Sequence, residues 1–222
     1  MALAFFNLSY QGRILPNTYI GKTNFGGLNR QQAQEVLSNL EENTSQDNIK
    51  FSWQDKNYEL SFKDLEINYQ SQDQQTLDHL TAVGRSGSIK DMLKSQAKAV
   101  FSKNQVLASF DFNDNKMTDF IKKIASDIDK PEKDARIEFE NNEPKVIPEE
   151  IGRRFSEDEN RQISLTSIGS FELKNNLSYK IEELKPKIDS EIAKNALAAT
   201  RDLISRNLIL KSDKKDFEIH KD

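Results

Sequence analysis

Apolar residues recur along this chain with two alternating periods. After Gly26, Gly27 and Leu28, the positions Ala33, Val36, Leu37 and Leu40 follow helical spacing behind Asn29, a residue type whose side chain caps helix starts. The next stretch, IKFSWQDKNYELSF, switches to period two. Ile49, Phe51 and Trp53 alternate with polar residues, QDKN supplies a turn, and Tyr58, Leu60 and Phe62 alternate back, which predicts a β-hairpin with one buried face. Two helices follow. One carries Leu77, Leu80 and Val83 and stops at Gly84; the other starts at Ser88, with Asp91 placed for a capping box and a stripe of Ile89, Met92, Leu93, Ala97 and Val100. VLASFDF then alternates as a strand, and NKMTDFIKKIASDID puts Met117, Phe120, Ile121, Ile124 and Ile128 on one helical face before Pro131.

The pattern then repeats. ARIEFENNEPKVIPEEIG reads as a second hairpin turning at ENNEP, about ninety residues after the first, and each hairpin runs into an apolar point, Leu65 or Ile151. FELKNNLSYKIEEL reads as a further strand. From Asp189 a helix with Ile192, Ala196, Leu197, Thr200, Leu203 and Ile204 on one face leads into NLILKSDKKDFEI, another hairpin. The predicted class is α+β, built from repeated helix and β-hairpin units with antiparallel sheet and packed helices. A unit that ends after its helix and hairpin buries its apolar face poorly, so the natural chain is expected to continue beyond Asp222.

Composition removes several function classes. With no cysteine there is no disulfide, thiolate metal site or cysteine nucleophile, and with only His79 and His220 a transition-metal site would rest on carboxylates. No cofactor and no metal are expected. A net charge of −4 lacks the basic excess that nucleic acid requires. No apolar run reaches the roughly 18 residues needed to span a bilayer. The opening MALAFFNL reads either as the remnant of an N-terminal anchor or leader or as an ordinary first element.

Several motifs together resemble one family. The stretch ILPNTYIGKTNFGGLNRQQAQEVL, the AVGRSG turn and DARIEFENNEPKVIPEEIGRRF resemble, in order and spacing, the peptidoglycan-binding domain of VanW-like proteins and some L,D-transpeptidases. The resemblance covers residues 14–186, with 1–13 as the remnant leader and 187–222 as the start of a second, truncated copy. It implies an extracytoplasmic module on the wall face of the membrane, anchored through a removed N-terminal segment and followed by a missing C-terminal domain. The L,D-transpeptidase cysteine is absent, so no catalytic residue carries over.

The residues themselves offer few catalytic groupings. Ser86 in GRSG lacks a nucleophile elbow and reads as part of a turn. Glu149 and Glu150, adjacent in an extended segment, point to opposite faces and are poorly placed to flank one glycosidic bond. Arg85, Arg153 and Arg154, each in a Gly-Arg turn, carry forks that match the carboxylates of wall peptides, although Arg85 reads better as a helix cap. Among aromatics that could stack on sugars, Trp53 and Tyr58 are in phase with the buried face of their hairpin, which leaves Tyr19 the freer candidate. The expected function is non-catalytic: a module that binds or sits against peptidoglycan and positions a further envelope domain. The alternative is an envelope scaffold that pairs with proteins and does not touch glycan, with a hydrolase third.

Overall fold

The computed structural model describes residues 10–85, 101–141, 143–173, 175–205, 208–210 and 217–219. They form five α-helices and small, mostly antiparallel sheets, the α+β class read from the pattern. The chain divides into two compact units, one of residues 1–124 and 157–180, the other of residues 125–156 and 181–222. The opening MALAFFNL and the helix expected from Ser88 lie outside the described residues. Among the described residues no helix is long and apolar enough to cross a membrane.

The first unit begins with β1 (Thr18–Ile20) and β2 (Thr23–Asn24), an antiparallel pair. Helix α1 (Arg30–Thr44) starts at the predicted cap: Asn29 Oδ1 accepts from Gln32 N at 2.9 Å, and Gln32 Oε1 accepts from Asn29 N at 3.1 Å. Strands β3 (Asn48–Trp53) and β4 (Lys56–Ser61) form the first hairpin, with Phe51 opposite Tyr58. The ladder runs to the Trp53–Lys56 pair, so the turn is only Gln54–Asp55, with Gln54 at φ 53°. A short 3-10 turn leads into α2 (Asp73–Ala82), whose Leu77 and Leu80 are buried. Ile14, Leu15, Ile20, Phe25, Leu37, Ile49 and Leu65 join them in the core. Each such side chain contributes roughly 1.5–3 kcal/mol by leaving water.

The predicted strand VLASFDF is shorter and earlier than expected. Strand β5 (Asn104–Val106) pairs parallel with β1, and the residues after it make no ladder. Their backbone groups go elsewhere: Ala108 N to Gly169 O at 2.7 Å, Ser109 N to Thr76 Oγ1 at 2.9 Å, and Asp111 in a mutual pair with Asn68. Helix α3 (Asp114–Ile128) buries Met117, Phe120, Ile121, Ile124 and Ile128 as the spacing predicts. Its residues fall in both units.

In the second unit, β6 (Arg136–Glu140) and β7 (Glu143–Ile147) form the second hairpin. Strand β8 (Gly152–Phe155) pairs with β9 (Ile181–Leu184). Gly152 therefore opens a strand and is not a turn residue. A Cβ there would lie 2.4 Å from Glu132 N and 2.6 Å from Lys130 O, so only glycine permits this approach. Ile151 beside it is exposed, whereas Leu65 is fully buried. Helix α5 (Ser190–Ser205), capped by Asp189 Oδ1 on Ile192 N at 2.8 Å, packs on β6 and β7. Strands β10 (Leu208–Leu210) and β11 (Phe217–Ile219) pair antiparallel at the end of the chain.

One helix escapes the apolar pattern. Helix α4 (Glu157–Gly169), in the first unit, buries Asn160 and Ser164 along with Ile168. Those polar groups hold the segment read from the pattern as strand 171–184, of which only β9 is strand. Asn160 Nδ2 donates to Lys180 O at 2.8 Å, its Oδ1 accepts from Lys180 N at 2.6 Å, and the Ser164 hydroxyl bonds that of Tyr179. The rest of the segment, as far as it is described, is irregular chain, pinned by Leu177 N to Lys50 O at 2.7 Å and by buried Leu173, Leu177 and Tyr179.

Candidate functional site

Tyr19, Arg85, Arg153 and Arg154 occupy different settings. Tyr19 is half-buried on β1, with Lys103 Nζ 4.5 Å from its ring centroid, a cation–π contact. Arg85 follows α2. Its Nη1 donates to Thr81 O at 2.9 Å in the last helical turn, and its Nη2 donates to Tyr10 O at 2.7 Å and to Arg13 O. This half-buried guanidinium staples the entry segment to the helix end, and burial lowers its pKa from the ordinary arginine value. In the second unit, Arg153 is half-buried on β8, where its backbone bridges Lys130. Arg154 is exposed and pairs with Glu182 at 2.6 Å. The two arginines project to opposite faces of one strand, so a single ligand face meets one of them.

Neither acidic grouping of the described residues has an open catalytic geometry. Glu150 is held between Lys130 at 2.6 Å and Lys133 at 2.8 Å, which draws its pKa down to about 2, while Glu149 accepts from the Ser190 hydroxyl. Glu41 and Asp73 meet between α1 and α2. Burial, with the Asp73 carboxyl bonded beside it, pushes Glu41 up to about 8, so it is protonated at neutral pH. Glu41 Oε1 and Asp73 Oδ1 are both buried with no donor other than a proton shared between them, and Asp73 Oδ2 accepts from Gln34 Nε2 at 2.6 Å. The pair joins two helices, and Glu41 also lines a smaller pocket of about 390 Å³ beside Phe62 and Tyr69.

The largest concave feature described is a cleft of about 950 Å³ in the first unit. It is bounded by the Gly21 turn, the last turns of α1 and α4, and the irregular chain after α4. Gly21 has φ 55°, and a Cβ there would lie 2.2 Å from Ser170 O, so a glycine is what lets the β1–β2 turn close on α4. Helix α4 ends in paired bonds, Phe171 N to Ile168 O at 3.1 Å and Glu172 N to Ser167 O at 3.0 Å. That geometry places Phe171 at the left-handed position glycine usually fills, at φ 56°. The strain, about 1 kcal/mol, is offset by burial against Tyr69, whose ring lies 4.8 Å away and whose hydroxyl donates to Ile168 O at 3.0 Å. Neither Tyr19 nor Arg85 lines this cleft.

A family model described as "Putative peptidoglycan binding domain" matches residues 58–169, half of the chain, from β4 through the last residue of α4. The chain belongs to this family. The peptidoglycan-binding match includes Arg85, Arg153 and Arg154 and the cleft residues Ile163 and Ser167; Tyr19 and the remaining cleft residues flank it. The chain matches no curated protein and no solved structure.

Sequence reasoning missed the cleft because its mostly polar residues come from four separate stretches of the chain. One signal was legible for α4: Ser156 followed by Glu157, Asp158 and Glu159 has the acidic, capping-box form of a helix start.

Proposed function

We propose that the chain is a non-catalytic module that holds to peptidoglycan outside the cytoplasmic membrane and positions a further envelope domain, in a VanW-like arrangement. The match of residues 58–169 to the peptidoglycan-binding family carries this reading. The acidic groups support a binding role over hydrolysis, since Glu150 is neutralised by two lysines and the Glu41 and Asp73 carboxyls meet directly, too close to flank a glycosidic bond. Tyr19, Arg153 and Arg154 remain proposed contacts, Arg154 by exchanging Glu182 for a wall carboxylate. For Arg85 the staple to Tyr10 and Arg13 supports a positioning role for the entry segment.

The test is sedimentation of the full chain with purified insoluble sacculi. Retention is expected, with loss of affinity in Arg154→Ala if that arginine makes contact. A folded protein that stays in the supernatant at both low and physiological salt would sink the proposal. It would favour the envelope-scaffold alternative, for which exposed Phe139, Ile151 and Ile192 in the second unit offer apolar surface.

A further inference from the structure

We infer that the cleft of the first unit binds the glycan strand of peptidoglycan, seating N-acetylated sugar units on the side chains of Asn43, Ser167, Asn175 and Ser178. This rests on the proposed wall-binding reading and names the part of the polymer that is recognised. Three observations carry it.

The first is size. A cleft of about 950 Å³ lies at the upper end of small-molecule sites, roughly 300–1,000 Å³.

The second is chemistry. Of its lining residues only Lys22 and Glu172 carry charge; the others are amides, hydroxyls and apolar groups. A stem peptide, with several free carboxylates and amines, calls for more charged partners than one lysine and one glutamate, whereas a sugar bearing hydroxyls and an acetamide offers neutral donors and acceptors together. Asparagine and serine match both at once. Phe171, held at its strained position, adds an apolar wall of the kind that packs on sugar C–H groups. Lys22 at the same cleft can meet the single lactyl carboxylate of a peptide-free muramic unit.

The third is availability. Among the described residues the side chains of Lys22, Asn43, Ser167, Asn175 and Ser178 make no hydrogen bond or ion pair, while their neighbour Asn176 is tied to Ser52 Oγ at 2.8 Å. The surrounding frame is by contrast tightly bonded, through Asn160, Tyr69 and Leu177 N. These polar side chains are open to solvent at the cleft, so a ligand can pair with them without breaking a bond within the chain.

The test titrates the full chain with two soluble probes, amidase-stripped glycan strands and free stem peptides, following binding by calorimetry. The wild type is expected to bind the strands and not the peptides. Asn43→Ala and Asn175→Ala are each expected to weaken strand binding about tenfold, the size of one lost hydrogen bond, with unchanged melting temperature. Equal strand affinity in folded variants, or binding of peptides in place of strands, overturns the inference. Retention on sacculi without strand binding rejects the glycan cleft alone; absence of both rejects the wall-binding reading with it.

Discussion

Glu41 shows how a residue's position overrides its type. A glutamate at the end of α1 is ordinary, but here its carboxyl is buried against Asp73 and its pKa is raised to about 8. The folded state therefore holds a proton that the unfolded chain releases near its usual value. Stability from this group is fully present below about pH 4.5 and is lost as pH rises to about 8. Glu41→Gln keeps a donor toward Asp73 and has no proton to lose. We expect it to flatten the pH dependence and to be the more stable protein at pH 8. Denaturant titrations of both proteins across pH 4–9 check this; parallel curves would refute it. Arg85 acts in the opposite way, by a charge whose donors are already spent on backbone. Arg85→Ala should take the guanidinium donor from the Arg13 carbonyl, leave the Tyr10 carbonyl only its bond from Arg13 N, and lower the melting temperature, at a cost of about 1–3 kcal/mol. An unchanged melt would mean that the staple contributes nothing.

Among the elements, α1 and α3 were legible because both a cap or breaker and a continuous apolar stripe coincide in the same stretch. Asn29→Ala should cost about 1 kcal/mol, measured by equilibrium unfolding, because it removes the side-chain acceptor of the Gln32 N–H while the Asn29 N–H keeps its bond to Gln32. The pattern failed for α4 because its inward face is polar by design of the contacts it makes. Asn160 substitutes for a sheet neighbour to Lys180, and Ser164 meets Tyr179. It failed again for residues 171–173 and 175–180, whose alternating apolar residues resemble a strand yet fold as irregular chain with Phe171 at positive φ. Strand β8 makes the same point for glycine: Gly152 is needed for close approach within a strand. Gly152→Ala should destabilise by roughly 2 kcal/mol or more, since the Cβ meets backbone atoms that cannot swing aside. Wild-type stability in that variant would show that the Lys130–Glu132 segment yields.

For the whole molecule, a net charge of −4 and a wall polymer that is itself anionic leave little room for long-range attraction. Binding through neutral amides and hydroxyls predicts retention on sacculi that changes little between low and physiological salt. A steep loss with added salt would instead point to the arginines of β8 as the main contact. The α+β class, the capped helix α1, the stripe of α3 and the two hairpins follow from local periodicity, because which face of an element is apolar is written within a dozen residues. The absence of cysteine chemistry was equally plain. The cleft, the acid pair between α1 and α2 and the frame around Phe171 were decided by tertiary structure, because each depends on partners far apart in the chain, as Tyr69 does on Ile168. A polar side chain looks the same in sequence whether it bonds a distant backbone, shares a buried proton or faces an open cleft, and only the folded arrangement of its neighbours separates the three.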